Sequence, residues 1–255
     1  MKKDNQNKEE VFEKKNIYIP NNLRVFISYS EENKKIASGI KENLNRFGIQ
    51  VFLAHDDIPP GREWIPEILK NIKNADIFIA LLSEDFHKSS WTDQETGIAV
   101  CLNKFIIPIT IDDILPYGFM KKYQAFKNFK YEFKKYVVNI RTMEEKEFLD
   151  CKGEIYKIIK LISKEVEFKE NLADSFITSL ENVSGFRNAE SHFELLIQLE
   201  PFSEGQINKI IELSIENRQV YDAHGCQNIL KQLLKKYQHL IDIDNITKIE
   251  EKINK

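Results

Sequence analysis

The chain is poor in cysteine. It has three in 255 residues, Cys101, Cys151 and Cys226, far apart and with no Cys-x-x-Cys spacing. An odd, scattered set frames no disulfide scaffold and suggests no zinc site, and it suits a reducing cytoplasm. The five histidines are scattered too, without the close spacing of ligands, so no metal is expected. There is no excess of positive charge: 37 Lys and Arg stand against 40 Asp and Glu, a net charge of −3. That argues against nucleic acid or an anionic membrane as the main partner, because a basic surface grips both. No apolar stretch approaches the ~18 residues needed to cross a bilayer. The opening MKKDNQNKEE lacks the hydrophobic core of a secretory signal. The expectation is a soluble, cytoplasmic protein of one large or two small domains, long enough to bury a real core.

The residues that are present divide the chain. Residues 1–22 are polar and charged and end in Ile19-Pro20-Asn21-Asn22, which reads as a mobile arm or short helix with no function assigned. Four apolar runs follow, at 24–28, 49–54, 75–82 and 104–111. Helical patterns separate them. Ile36, Ile40, Leu44 and Phe47 share one face, with Gly48 where a left-handed cap is expected, and Trp64, Ile65, Ile68, Leu69 and Ile72 share another. The third run is apolar at nearly every position, as in a strand covered on both faces. Pro108 suits an edge position in the fourth. Alternating strands and helices predict an α/β, doubly wound parallel sheet over residues 23–165, with a fifth strand near 135–140 and a last helix at about 144–164.

From 166 to 255 the strand signal disappears. Leu172, Phe176 and Leu180 are spaced by four. Helical faces recur at Phe193, Leu196, Ile197 and Leu199, at Ile207, Ile210, Ile211 and Ile215, and at Leu230, Leu233, Leu234 and Tyr237. Breaks fall at Ser184-Gly185, Pro201 and near Gly225. This predicts a small all-α domain of four or five short helices.

In an open α/β sheet, ligands bind beyond the carboxyl ends of the strands. Those ends are Ser28-Tyr29-Ser30, His55 to Gly61, and Ser83 to Ser90. No GxGxxG follows the first strand and no GxxxxGK[ST] is present, which disfavours a dinucleotide fold of the dehydrogenase type and excludes a P-loop. A phospho-receiver would carry acids where this chain has Ser-Tyr-Ser. The segment Ser89 to Gly97 is more informative. Ser90 and Asp93 have the spacing of a capping box, which predicts a helix with Trp91 in its first turn. Trp91, Glu95, Ile98 and Leu102 then lie on one face. A carboxylate in an apolar stripe is either solvated at the stripe's edge or buried for a reason, since an unpaired buried charge costs several kcal/mol.

The stretches RVFISYS, VFLAHDDIPPGREW, DIFIALLSEDFHKSSWTDQE and KFIIPI, in that order, closely resemble the bacterial Toll/interleukin receptor (TIR) domain over about residues 22–165. The resemblance implies a flavodoxin-like, five-stranded sheet with residues 55–63 as the BB loop. In enzymatic members, a Trp and a Glu four apart at the start of the third helix form the NAD site; here these are Trp91 and Glu95. Ser28, Tyr29 and Ser30 resemble the family's nucleotide contacts after the first strand, although Ser30 also suits the N-cap of the next helix. Ser83 suits a ribose or phosphate contact or a plain strand end. Asp56 and Asp57 suit a nucleotide, a neighbouring subunit or simply the turn. The chain has Thr92 where many members have Cys.

The activity implied is NAD glycohydrolase or cyclase. Nicotinamide leaves NAD as a neutral molecule, so no general acid is needed, unlike in ordinary glycosidases with their two carboxylates. One carboxylate, Glu95, suffices to stabilise or capture the oxocarbenium-like sugar, and NAD is substrate rather than cofactor. The resemblance also implies self-association through the TIR domain and a role in anti-phage defence of the Thoeris type. That role would run through NAD depletion or through a nucleotide signal to a downstream effector. The alternatives are a non-catalytic adaptor acting through TIR–TIR assembly, and a modulator of host signalling.

Overall fold

The computed structural model describes residues 18–54, 57, 63–139 and 141–254. Four strands form a parallel sheet in the order β2-β1-β3-β4: β1 (Arg24–Ser28), β2 (Gln50–Leu53), β3 (Ile77–Leu82) and β4 (Phe105–Thr110). The helices α1 (Lys34–Asn45), α2 (Trp64–Asn74) and α3 (Thr92–Cys101) make the crossovers. All six residues of β3 are buried, as its unbroken apolar run requires of a central strand. Pro108 lies in β4, at the sheet's edge, opposite Ala80.

Among the described residues the sheet has no fifth parallel strand. Residues 132–139 form β5 (Glu132–Asn139), which pairs antiparallel with β6 (Glu144–Asp150) in a separate two-stranded ribbon. The physical reason lies in the flanks. Tyr136, Val137 and Val138 are an apolar triplet among charges and stay 42–50% exposed. They sit in a charge-laced ladder in which Lys135 pairs with Glu145 at 3.4 Å and Lys134 with Asp150. Beside β4, the place of a fifth strand is taken by a short irregular segment. There the Thr110 amide donates to the Phe126 carbonyl at 2.8 Å, and the Phe126 amide to that of Pro108 at 2.9 Å. The last helix of the sheet region is accordingly shorter than expected: 144–150 belongs to β6, and α4 runs Lys152–Ile162.

The C-terminal part is all helical: α5 (Lys169–Ser179), α6 (Phe186–Leu196), α7 (Glu204–Glu216), the single turn α8 (Arg218–Tyr221), α9 (His224–Tyr237) and α10 (Ile243–Ile253). Helix α10 adds a short apolar face, Ile246, Ile249 and Ile253, to those expected.

Two cores flank the sheet. Phe26, Phe78, Ala80, Leu82 and Phe86 pack under α2 and α3. Val25, Ile27, Tyr29 and Ile79 pack on the opposite side with α1 and α4, in a core that continues without a break into α5–α10. Residues 18–22, expected to form part of a mobile arm or short helix, are tied to α5. The Tyr18 hydroxyl (2.5 Å) and the Asn21 amide (2.8 Å) donate to the Asp174 carboxylate, which also accepts from Gln206 at 2.7 Å. The Leu23 amide donates to Ser175 Oγ at 2.8 Å. Gly48, with φ +73°, ends the α1 connection against α5.

Candidate active site

Strand alternation sends Ser28 to the Phe26 side of the sheet, toward α3, and Tyr29 to the other side. Helix α3 starts at Thr92, with Trp91 at the N-cap position and no side-chain cap. The expected Ser90–Asp93 capping box does not form. Asp93 instead accepts from the Tyr117 hydroxyl at 2.6 Å, and the Ser90 carbonyl accepts from Gln94 Nε2. The buried Thr92 hydroxyl donates to the Phe86 carbonyl at 2.5 Å, which ties the start of α3 to the turn after β3. Thr92 is therefore a structural tie here.

One turn into α3, Glu95 is only 1% exposed. Its Oε2 accepts a 2.5 Å hydrogen bond from Ser28 Oγ at the end of β1. Its Oε1 has no hydrogen-bond partner among the described residues. Burial pushes the carboxyl up to about 7, with the Ser28 hydroxyl pulling the other way. Half of this carboxylate is thus held by the protein and half is unused. Trp91, half-buried, meets Trp64 edge to face with ring centroids 4.0 Å apart.

Beyond the ends of β1 and β3, Asn33 Nδ2 donates to Ser30 Oγ (2.7 Å) and to Ser83 Oγ (2.6 Å), joining two of the expected site residues. Ser30 occupies the N-cap position of the short 3₁₀ turn before α1, but its side chain caps no backbone amide. Ser83 Oγ accepts from the Phe86 amide at 3.2 Å. The structure therefore groups Glu95 with Ser28, Trp91 with Trp64, and Ser30 with Ser83 through Asn33. Tyr29 is not brought to Glu95; its ring is fully buried in the core on the α1 side. Asp57 fills the turn-forming role, accepting from the Leu53 amide at 2.8 Å and from Lys41. Asp56 and most of the segment 55–63 lie outside the described residues.

Neither Asn33 nor Trp64 carries a sequence signal that marks it for the site. Trp64 was legible only as one of several apolar residues on α2. Nothing local marks Asn33, whose partner Ser83 lies 50 residues away. Among the described residues no group of three or more His, Cys, Asp or Glu could hold a metal, and no helix is long and apolar enough to cross a membrane.

The TIR-domain family model matches residues 25–137, the stretch that holds the parallel sheet, its crossover helices and the buried Glu95. The chain carries a TIR domain, followed by a helical region. It is 33% identical over 95 residues to a Methanobrevibacter olleyae protein named "Probable 2' cyclic ADP-D-ribose synthase TcpO". That match takes in 36% of this chain and 26% of the other, so the chain spans about a quarter of the length of this curated relative. Among solved structures, the TIR domain of the Toll-related receptor TRR-2 from Hydra magnipapillata aligns at 26% identity and TM-score 0.37, over 40% of this chain and 82% of that one. The TIR domains of the activated Roq1 resistosome align at 14% identity and TM-score 0.33, over 69% of this chain and 96% of that one.

Proposed function

We propose that the protein cleaves the nicotinamide–ribose bond of NAD at Glu95. The observation that carries this reading is the buried carboxylate with Oε2 fixed by Ser28 and Oε1 unused. The name of the Methanobrevibacter relative, a probable cyclic ADP-ribose synthase, points to the same substrate. Trp91 and Trp64 supply flat apolar faces for a ring of the substrate. As the glycosidic bond breaks, its electron pair leaves with nicotinamide, which becomes neutral, and positive charge develops on the ribose. An ionised carboxylate fixed in a low-dielectric site stabilises that charge without reorganising. Capture of the cation by water gives ADP-ribose and a proton. Capture by an internal nucleophile gives a cyclic isomer and a proton. Ser30, Ser83 and Asn33 offer hydroxyl and amide groups to the ribose or phosphates.

The exposed apolar side chains of α2, Trp64, Ile65 and Leu69 (36–48% exposed), favour self-association of the TIR domain, as a requirement for activity or as the whole of an adaptor's role. The biological setting proposed is anti-phage defence, by NAD depletion or by a nucleotide signal to an effector. The deciding experiment is NAD consumption by the purified chain over a concentration series, with product masses recorded. Turnover that rises faster than linearly with protein supports an assembly-dependent enzyme, and the mass, differing by one water, separates hydrolysis from cyclisation. No turnover at any concentration, with or without infected-cell lysate, moves the reading to the adaptor.

The raised pKa makes a further prediction. Only ionised Glu95 stabilises a cation, so activity is expected to rise with pH through about 7 and to fall as the pH drops below it. Ser28→Ala removes the hydrogen bond that favours the charged form. Its profile should move to higher pH, with activity several-fold lower at pH 7 and largely restored at pH 9. An unshifted profile in Ser28→Ala would detach Ser28 from this role.

A further inference from the structure

A cavity of about 590 Å³ lies on the opposite side of the sheet from Glu95, between the C-terminal end of α1 and α4, α5 and α6. That volume is within the range of small-molecule sites, roughly 300–1,000 Å³. Its lining combines amide and hydroxyl side chains, among them Asn45, Thr178, Asn182 and Asn188, with aromatic rings and two cations. The rings of Phe47 and His192 stack at 5.5 Å and 13°, and Tyr156 meets Phe47 edge-on at 5.8 Å. Arg46 and Lys152 stand at the exposed rim, Lys152 lying 5.4 Å over the Tyr156 ring. Neither cation forms a salt bridge among the described residues, and no acidic side chain among them lines the cavity.

His192 gives the cavity a directed polar group. The side chain is 2% exposed, and its Nε2 lies 2.9 Å from the Phe176 carbonyl. A carbonyl only accepts, so Nε2 carries the proton and Nδ1 is left as an acceptor. That Nδ1 has no partner among the described residues. Burial lowers the pKa of the ring to about 4, so Nδ1 keeps its lone pair at neutral pH.

We propose that this cavity is a second, non-catalytic site that binds a nucleoside phosphate. The base lies against the Phe47 and Tyr156 rings and donates an N–H to His192 Nδ1 at the edge of the imidazole. The phosphate sits between Arg46 and Lys152. Because its walls come from α1 on one side and α5 and α6 on the other, the ligand would join the sheet to the helical region. The inference does not depend on the cleavage chemistry.

Calorimetric titration of the full chain with AMP, adenosine and inorganic phosphate tests it. AMP is expected to bind more tightly than either fragment. The double variant Arg46→Glu, Lys152→Glu should weaken AMP roughly tenfold or more, as loss of charge-assisted contacts does. Both side chains are exposed, so this variant should melt like the wild type. Trp91→Ala, which alters only the Glu95 side, should leave AMP affinity unchanged. Three outcomes would overturn the proposal: no AMP binding up to ~1 mM, phosphate binding as tightly as AMP, or binding lost in Trp91→Ala but kept in the double variant.

Discussion

Glu95→Gln is expected to abolish NAD cleavage while making the protein harder to unfold above pH 7. The variant keeps the shape of the side chain and an oxygen for the Ser28 hydroxyl, but not the charge. If the ionised carboxylate is the electrostatic partner of the developing cation, its loss should lower kcat by about 10³-fold or more, the scale of removing one preorganised stabiliser. Stability should change in the opposite direction. The carboxyl is held at about 7 in the folded protein against 4.5 for the free side chain. Between those values the folded state binds a proton that the unfolded state does not, so stability falls as pH rises through this window. Above pH 7 the full penalty applies, about 3 kcal/mol at 1.36 kcal/mol per unit. Gln carries no such penalty, so melting at pH 8 should rise by roughly 6–12 °C. At pH 4, where both carboxyl states are largely protonated, the two proteins should melt nearly together. Loss of activity without the pH-dependent gain would mean that Glu95 is solvated. A variant retaining a tenth of wild-type turnover would remove Glu95 from the chemistry.

Gly48→Ala is expected to be strongly destabilising for a single added methyl. Gly48 has φ +73°, which costs an L-residue about 1–2 kcal/mol. Its neighbour leaves no room: a Cβ would lie 1.9 Å from the Ser175 carbonyl oxygen of α5. That oxygen belongs to helix backbone and cannot rotate away, so α5 must move, carrying the Ser175 hydroxyl that holds the Leu23 amide. Overpacking of this kind adds about 1–3 kcal/mol. Together these predict roughly 3 kcal/mol, a melting temperature lower by about 6–12 °C. Gly153→Ala is the control: nothing lies within 4 Å of its Cβ position and its φ is ordinary. It should be neutral or slightly stabilising. Equal melting of Gly48→Ala and wild type would show that the α1–α5 contact is loose.

Much of this was legible in the residues. The four apolar runs became β1–β4 because continuous apolar sequence of that length has few other uses in a chain with helical spacers between. The Glu95 position could be seen as an anomaly in an apolar stripe, and its burial settles which side of that anomaly holds. Tyr29 shows a limit of reading a motif as a block: next to Ser28 in sequence, it faces the other core because successive strand residues point to opposite sides. The β5–β6 ribbon was not legible. Tyr136-Val137-Val138 has the composition of a strand, but the choice between joining β4 and pairing with 144–150 depends on a partner segment that itself reads as charged helix. The Asn33–Ser83 contact is likewise a product of tertiary structure alone.

The tie between the start of β1 and α5 bears on the order in which the chain is completed. The Leu23 amide takes its acceptors, the Asn171 carbonyl and Ser175 Oγ, from residues that leave the ribosome about 150 positions later. Loop closure over such a distance is slow compared with the local crossovers. The strand β1, first of the described strands in sequence, is therefore finished among the last, and an emerging chain that ends at α4 holds an open end on its central sheet. Pulse-labelled hydrogen exchange during refolding should find the Leu23 amide protected together with α5 and after the amides of β3. Protection of Leu23 ahead of α5 would reverse that order.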